Sequence, residues 1–158
     1  MPENNHPDNL LIPQILEDGF GFNVYRVGLL FRRELMKALA EYSLTPEQWQ
    51  VMMTLWHTST SLNQNEISKM LLKDKHTVSR IIQRLERDGW IKKTASSKDA
   101  RATIIELTAK GKSFQKEVPK KLFSHFDKVL KDFDNKEILT MLKSLKKLRE
   151  ILGDYKAG

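Results

Sequence analysis

A cluster of hydrogen-bonding and basic residues lies at the start of one predicted helix, where it could contact a nucleic acid. The helix is predicted from Asp74 to Asp88 and has one apolar side that would pack on a core. Its first turns carry Lys75, His76, Thr77, Ser79 and Arg80. The major groove of B-DNA admits one α-helix, whose N-terminal residues can reach the base edges. We therefore expect these five residues to read bases, with Arg80 able to pair with guanine through two donors.

Other basic residues near this helix are better placed for phosphates, which supply affinity without sequence information. These residues are Lys73, Arg84, Lys92 and Lys93. A small polar loop further along the chain contributes Ser97, Lys98, Asp99 and Arg101. We expect Lys98 and Arg101 to enter a neighbouring minor groove, where narrow A·T tracts attract cations. Asp99 would orient Arg101 through a charge-assisted hydrogen bond or cap the turn.

The positive charge of the chain is concentrated in the same region. The 158 residues carry a formal charge of +7, and residues 61–112 hold 12 Lys/Arg against 6 Asp/Glu. One third of the chain therefore accounts for nearly all of the excess, as expected for a surface that binds a polyanion. A solvated face with an accidental bias is the alternative, and charge alone does not separate the two.

The predicted elements around the basic residues favour the first interpretation. A capping box at Asn63 and Glu66 begins one short helix, and Asp74 caps the next after a gap of two or three residues. Two helices this close must meet at a sharp corner, which is a helix-turn-helix. The segments Trp90–Thr94 and Ala102–Leu107 are short and β-prone, and they predict a hairpin with the polar loop at its tip.

Long helices are predicted on both sides of this core. The first covers Phe20–Tyr42, and a capping box at Thr45–Gln48 begins the helix that follows it. After the hairpin, a helix capped by Thr108 runs to Phe133 with a kink expected at Pro119. Asp134 caps the last helix, whose apolar residues form a heptad-like seam: Ile138, Met141, Leu145, Leu148 and Leu152.

The apolar surface of these last two helices exceeds what a small winged core needs, which predicts a two-fold dimer. The alternative is that both helices complete a monomeric core. The fold class is thus mainly α: a winged helix-turn-helix core with long N- and C-terminal dimerisation helices and one β-hairpin wing. We divide the chain into an N-terminal arm with the first dimerisation helix (1–42), a DNA-binding core (43–108) and C-terminal dimerisation helices (109–158).

Several function classes are not expected. The sequence has no cysteine, and its four histidines are far apart without carboxylates at metal-ligand spacing, so we expect neither a metal nor a cofactor. It has no glycine-rich phosphate loop, nucleophile elbow or HExxH motif, so we do not expect an enzyme. No apolar stretch approaches the ~18 residues of a membrane span, and we expect a cytoplasmic protein without a membrane partner.

Four motifs together resemble the MarR family of bacterial transcriptional regulators. They are Leu44-Thr45-Pro46-Glu47-Gln48-Trp49, the run from Asn65-Glu66-Ile67-Ser68 to Thr77-Val78-Ser79-Arg80, Leu85-Glu86-Arg87-Asp88-Gly89-Trp90-Ile91, and Asp99-Ala100-Arg101 to Leu107-Thr108-Ala109-Lys110-Gly111. Their order and spacing carry the resemblance over Tyr42–Lys112, and the flanking long helices match the family's dimerisation elements. The helix Asp74–Asp88 matches the recognition helix, and Asp99 with Arg101 matches the wing pair.

The resemblance implies a homodimer, built from the first and last helices, that binds a pseudo-palindromic operator on double-stranded DNA. Members commonly act as repressors that a small ligand releases. The resemblance places such a ligand between the dimer helices and the winged core, where a hydrophobic or aromatic effector would meet Tyr25, Trp49, Met53, Trp56 and His57. Ordinary core packing is the alternative role for each of these residues. A winged-helix protein-interaction module and a non-specific architectural or RNA-binding protein also remain open.

Overall fold

Three reciprocal capping boxes determine where helices begin. In the computed structural model, which describes residues 15–58, 60–97 and 102–154, the Gln48 N–H donates to Thr45 Oγ1 (3.2 Å) and the Thr45 N–H donates to Gln48 Oε1 (2.8 Å). Asn63 and Glu66 form the same pair of bonds at 3.0 and 2.7 Å. A third box begins the last helix at Asp134. All three predicted helix starts are confirmed.

Six helices and one hairpin make up the described chain. In chain order they are α1 (Phe20–Leu39), α2 (Pro46–His57), α3 (Gln64–Leu71), α4 (Lys75–Arg87), β1 (Ile91–Ala95), β2 (Thr103–Leu107), α5 (Ala109–Val129) and α6 (Asn135–Ile151). Short 3-10 turns cover Leu16–Asp18 and Ala40–Tyr42. The mainly α winged-helix prediction is confirmed. The predicted helix end at Phe133 is wrong, because the chain leaves α5 after Val129 and turns towards the cap of α6.

The core lies between α2, α3, α4 and the hairpin. Its fully buried members include Val51, Met52, Ile67, Val78, Ile82, Leu85 and Ile91. The first half of α5 also packs here, since Phe114, Val118 and Leu122 are buried in the same cluster. The sequence analysis counted this stripe towards the surface of a dimer, but its first part is buried in the core and is therefore unavailable to a partner. The helix continues through position 119.

The corner between α3 and α4 is made by one residue in the left-handed region. Leu72 ends α3 with φ 52° and ψ 41°, and the Lys73 N–H then donates to the Ser68 carbonyl (3.1 Å). Asp74 follows as the N-cap of α4. A three-residue link of this kind turns the chain sharply, so the predicted helix-turn-helix is present.

Strands β1 and β2 pair antiparallel with Ile91 opposite Leu107 and Lys93 opposite Ile105. The Ile105 N–H also donates to the Leu62 carbonyl (2.8 Å), which attaches the hairpin to the segment before α3. An isolated hairpin is marginal in water, and this attachment together with buried Ile91 and Ile105 supports it.

A close backbone contact joins the end of α4 to the start of α5. Thr108 caps α5, and its Oγ1 donates to the Gly89 carbonyl at 2.6 Å. The Thr108 N–H donates to the Trp90 carbonyl (3.1 Å), and a Cβ at Gly111 would lie only 2.3 Å from that same oxygen. Trp56 Nε1 donates to the Gly111 carbonyl (3.2 Å), which adds α2 to the junction. Only glycine fits at position 111.

The outer helices leave large apolar surfaces exposed. On α1 only Leu39 is buried, although Phe31 stacks on Phe126 of α5 with ring centroids 4.7 Å apart. Helix α6 has no extensive packing contact with the rest of the described chain, and none of its residues is buried. Its Leu139 and Leu145 are 64% and 53% exposed. Apolar surface of this extent is typical of a binding interface.

Candidate nucleic-acid interface

Helix α4 has one buried side and one basic side. Val78, Ile81, Ile82 and Leu85 are buried in the core. The opposite side carries arginines, and its N-terminus is positioned by Gln64, whose Nε2 donates to the Lys75 carbonyl (3.0 Å). The hydrophobic stripe therefore fixes the rotation of the helix about its axis, and that rotation turns the basic side outward.

The five predicted base-reading residues differ in their exposure and in the hydrogen bonds of their side chains. Lys75, His76 and Arg80 are exposed, and within the described ranges none of them has a side-chain hydrogen bond or ion pair. Thr77 and Ser79 are half-buried. The Thr77 hydroxyl donates to Asp74 Oδ2 (2.6 Å) and its N–H to Oδ1 (2.9 Å). These bonds hold the pKa of Asp74 below its ordinary value. The Thr77 hydroxyl proton is already used in the hydrogen bond to the capping carboxylate.

The predicted phosphate-binding residues fall into two groups. Arg84 is exposed and has no ion pair in the part of the chain that the structure describes, and Lys73 is exposed at the helix corner. Lys92 and Lys93 instead face acidic partners, with Nζ 3.5 Å from Glu106 and 3.1 Å from Glu86 respectively. Both pairs are partly exposed, so a phosphate could still compete with these carboxylates.

Two residues that the sequence analysis did not select belong to the same side of α4. Arg80, Gln83, Arg84 and Arg87 line a shallow concavity of about 400 Å³. Their spacing of i, i+3, i+4 and i+7 could have identified the set, because residues so spaced share one helix face. Arg87 is oriented by Asp88, with Nε 2.9 Å from Oδ1, and this bond raises the pKa of Arg87.

Of the four predicted wing residues, the structure describes only Ser97. Ser97 is exposed just beyond the end of β1. Lys98, Asp99 and Arg101 lie outside the described residues, so their expected roles in a minor groove stay predictions. The strands on either side hold the two ends of this loop next to each other, since Ala95 pairs with Thr103.

The predicted ligand residues do not form one cavity wall. Trp49, Met53, Trp56 and His57 lie on α2, where the Trp49 and Trp56 rings meet edge to face at 5.2 Å. His57 is exposed, with Nδ1 2.9 Å from the Met53 carbonyl. Tyr25 is 70% exposed on α1 and has no ring contact with this cluster among the described residues. The assignment of a ligand to these residues stays a prediction.

A separate groove of about 320 Å³ lies between α1, α2 and the end of α3. Its apolar lining includes Phe31 and Leu35, and Arg32 crosses it to Glu47 with two nitrogens 3.1 and 2.9 Å from one carboxylate oxygen. Burial raises the pKa of Glu47, but the hydrogen bonds from Arg32 and from the Glu47 backbone N–H, together with the charges of Arg32 and Lys73, outweigh this effect and leave that pKa below its ordinary value. This pairing could not be predicted from the sequence, because its partners are fifteen residues apart on different helices.

Within the described ranges, every helix is too short or too polar to span a membrane. No three His, Asp or Glu side chains in the same ranges are grouped so that they could hold a metal ion.

Comparison with known sequences gives a family and two informative relatives. Residues 34–118 match the family described as transcriptional regulator SarA/Rot. The chain is 32% identical to the HTH-type transcriptional regulator TtmR of Methylorubrum extorquens over 65% of its own length and 52% of TtmR. It is 29% identical to the HTH-type transcriptional regulator BilQ of Clostridioides difficile over 77% of its own length and 81% of BilQ. The chain thus spans about half the length of the first relative.

Solved structures share the fold at low sequence identity. CouR from Rhodococcus jostii, bound to p-coumaroyl-CoA, matches with a TM-score of 0.77 and 19% identity over 92% of this chain and 99% of CouR. A mutant of MarR from E. coli, complexed with operator DNA, matches with a TM-score of 0.75 and 22% identity over 89% of this chain and 96% of MarR.

The fold is the winged helix-turn-helix found in MarR-family structures, and the resemblance seen in the sequence is confirmed. The family match covers more than half of the chain, so the protein belongs to the SarA/Rot family of transcriptional regulators.

Proposed function

We propose that the protein is a homodimeric repressor that binds a pseudo-palindromic operator on double-stranded DNA and releases it in response to a small ligand. The DNA-binding part of this proposal rests on the outward side of α4. Its arginines are exposed, and Arg80 and Arg84 have no acidic partner in the described chain. Cations held outward on a rigid helix are suited to the major groove, where Arg pairs with guanine and with phosphates.

The homodimer rests on the apolar surfaces of α1 and α6. Exposed Leu142 and Leu145 of α6, with Leu152 directly after its end, lie on one side of a helix that has no extensive contact with its own described chain. A two-fold pairing through these surfaces would bury them and would present two copies of α4 about 34 Å apart, one turn of DNA. The division of the chain into three parts, with boundaries after residues 42 and 108, belongs to this proposal. The first half of α5 is then shared between the core and the dimerisation helices.

Response to a ligand is supported by the groove between α1, α2 and α3. It combines apolar walls with the Arg32–Glu47 pair, and it borders Lys73 beside the start of α4. A bound molecule there would contact both a dimer helix and the helix-turn-helix. CouR, which shares the fold, is recorded with p-coumaroyl-CoA. On this proposal the protein is not an enzyme, and it acts in the cytoplasm where its DNA lies.

Binding to the protein's own upstream DNA tests the proposal against its alternatives. We expect the purified protein to bind that duplex more tightly than a random duplex of equal length in a competition assay. Equal affinity for both would indicate a non-specific architectural protein, and absence of binding at low salt would indicate a protein-interaction module. We also expect at least one compound from a panel of small aromatic and hydrophobic molecules to weaken the specific complex.

Arg84→Ala should lower the affinity for all duplexes about equally and reduce the salt dependence of binding. Loss of one phosphate contact should flatten the slope of log Kobs against log salt concentration by ~0.9. Titrations at several salt concentrations measure this slope. Lys120→Ala removes an equally exposed cation from α5 and should leave the slope unchanged. A wild-type slope for Arg84→Ala would show that Arg84 contacts no phosphate.

A further inference from the structure

The outward face of α4 extends beyond the N-terminal turns of the helix to its last turn. The residues that lie most directly opposite the buried side are His76, Arg80, Gln83 and Arg87. From His76 to Arg87 the helix extends about 16 Å, which is close to five base-pair steps of a duplex. A helix that lies along a major groove can therefore present this whole face to base edges and phosphates.

Gln83 is chemically different from its neighbours on this face. It is exposed, it carries no charge, and its amide has no hydrogen bond to any described residue. Arg80, Arg84 and Arg87 line the same concavity of about 400 Å³. An uncharged amide releases no counterions from DNA, so it adds little to non-specific affinity. Its two donors and one carbonyl acceptor match the N6 and N7 groups of adenine.

We propose that Gln83 is a specificity-determining residue that reads an adenine in each half-site through a bidentate hydrogen bond. The neighbouring arginines bring the helix against the duplex, and Gln83 beside them contributes base discrimination rather than affinity. This inference rests on the proposed function, because it needs α4 to lie in the major groove.

The test measures the preference for one base separately from the overall affinity for DNA. Wild-type protein first selects its preferred duplex from a random library, and a panel with every single base substitution in that duplex is then titrated against wild type and Gln83→Ala. At one position of each half-site, wild type should prefer A·T by about 5- to 150-fold, and Gln83→Ala should lose this preference. Affinity for random duplex and the salt slope should stay at wild-type values, since no charge is removed.

Two further variants make the result specific. Gln83→Glu should change the preferred base at the same position to cytosine, whose N4 amino group donates to a carboxylate. Gln115→Ala removes an exposed glutamine from α5 and should keep the wild-type preference at every position. A wild-type preference profile for Gln83→Ala would overturn the inference while leaving the DNA-binding function intact. A wild-type protein that selects no sequence would overturn both.

Discussion

Gly111→Ala should lower the free energy of unfolding by about 3 kcal/mol, because the new methyl group cannot be accommodated without moving backbone. A Cβ at this position would lie 2.3 Å from the Trp90 carbonyl oxygen and 3.0 Å from a Leu107 methyl. The Trp90 oxygen is itself fixed, since it accepts a hydrogen bond from the Thr108 N–H at 3.1 Å. Urea unfolding followed by circular dichroism measures the loss.

The matched control is Gly28→Ala on α1, where nothing in the described chain lies within 4 Å of the added Cβ. Alanine is favoured over glycine inside a helix by up to about 1 kcal/mol, so this variant should be as stable as wild type or slightly more stable. If Gly111→Ala unfolds at the same urea concentration as Gly28→Ala, the close contact between α5 and the end of α4 is not present in solution.

Leu145→Glu should convert the dimer to a monomer and thereby weaken operator binding severely. Two-fold symmetry would place two unpaired carboxylates in the interface, and each costs several kcal/mol to bury, so the dimer dissociation constant should rise by about 10³-fold or more. Analytical ultracentrifugation over a range of concentrations measures the dissociation constant. The monomer should keep its winged core, because Leu145 is 53% exposed and α6 packs little against its own described chain.

Ser144→Glu adds the same charge one residue away, at an exposed position outside the apolar seam. It should remain dimeric and bind the operator like wild type. A dimeric Leu145→Glu would place the partner contact elsewhere, while a monomeric wild-type protein would contradict the two-fold arrangement itself.

Helix starts were predictable because each depends on residues three apart in the sequence. The Thr45–Gln48, Asn63–Glu66 and Asp134–Glu137 boxes need only local chain geometry, and all three helices begin where predicted. The rotation of α4 was predictable for a similar reason. Its buried residues follow the helical period, so the opposite side must be exposed.

Contacts between distant segments were not predictable. Lys92 and Lys93 are predicted from the sequence to contact phosphates, and nothing in it indicates that folding brings them close to Glu106 and Glu86. The apolar stripe of α5 has the same spacing along its length, and spacing alone does not separate the buried Phe114 from exposed residues further along. Arg87 and Gln83 were not predicted, because base contacts are expected at the N-terminal turns of a recognition helix, whereas the concavity lies along the middle and end of α4.

The central claim is that two copies of α4 enter neighbouring major grooves of one duplex, and a hydroxyl-radical footprint tests it most directly. We predict two protected segments on one face of the selected duplex, with centres one helical turn apart, about 10 base pairs, and two protein chains per duplex. Uniform protection along the duplex, or a single protected segment occupied by one chain, would contradict the claim.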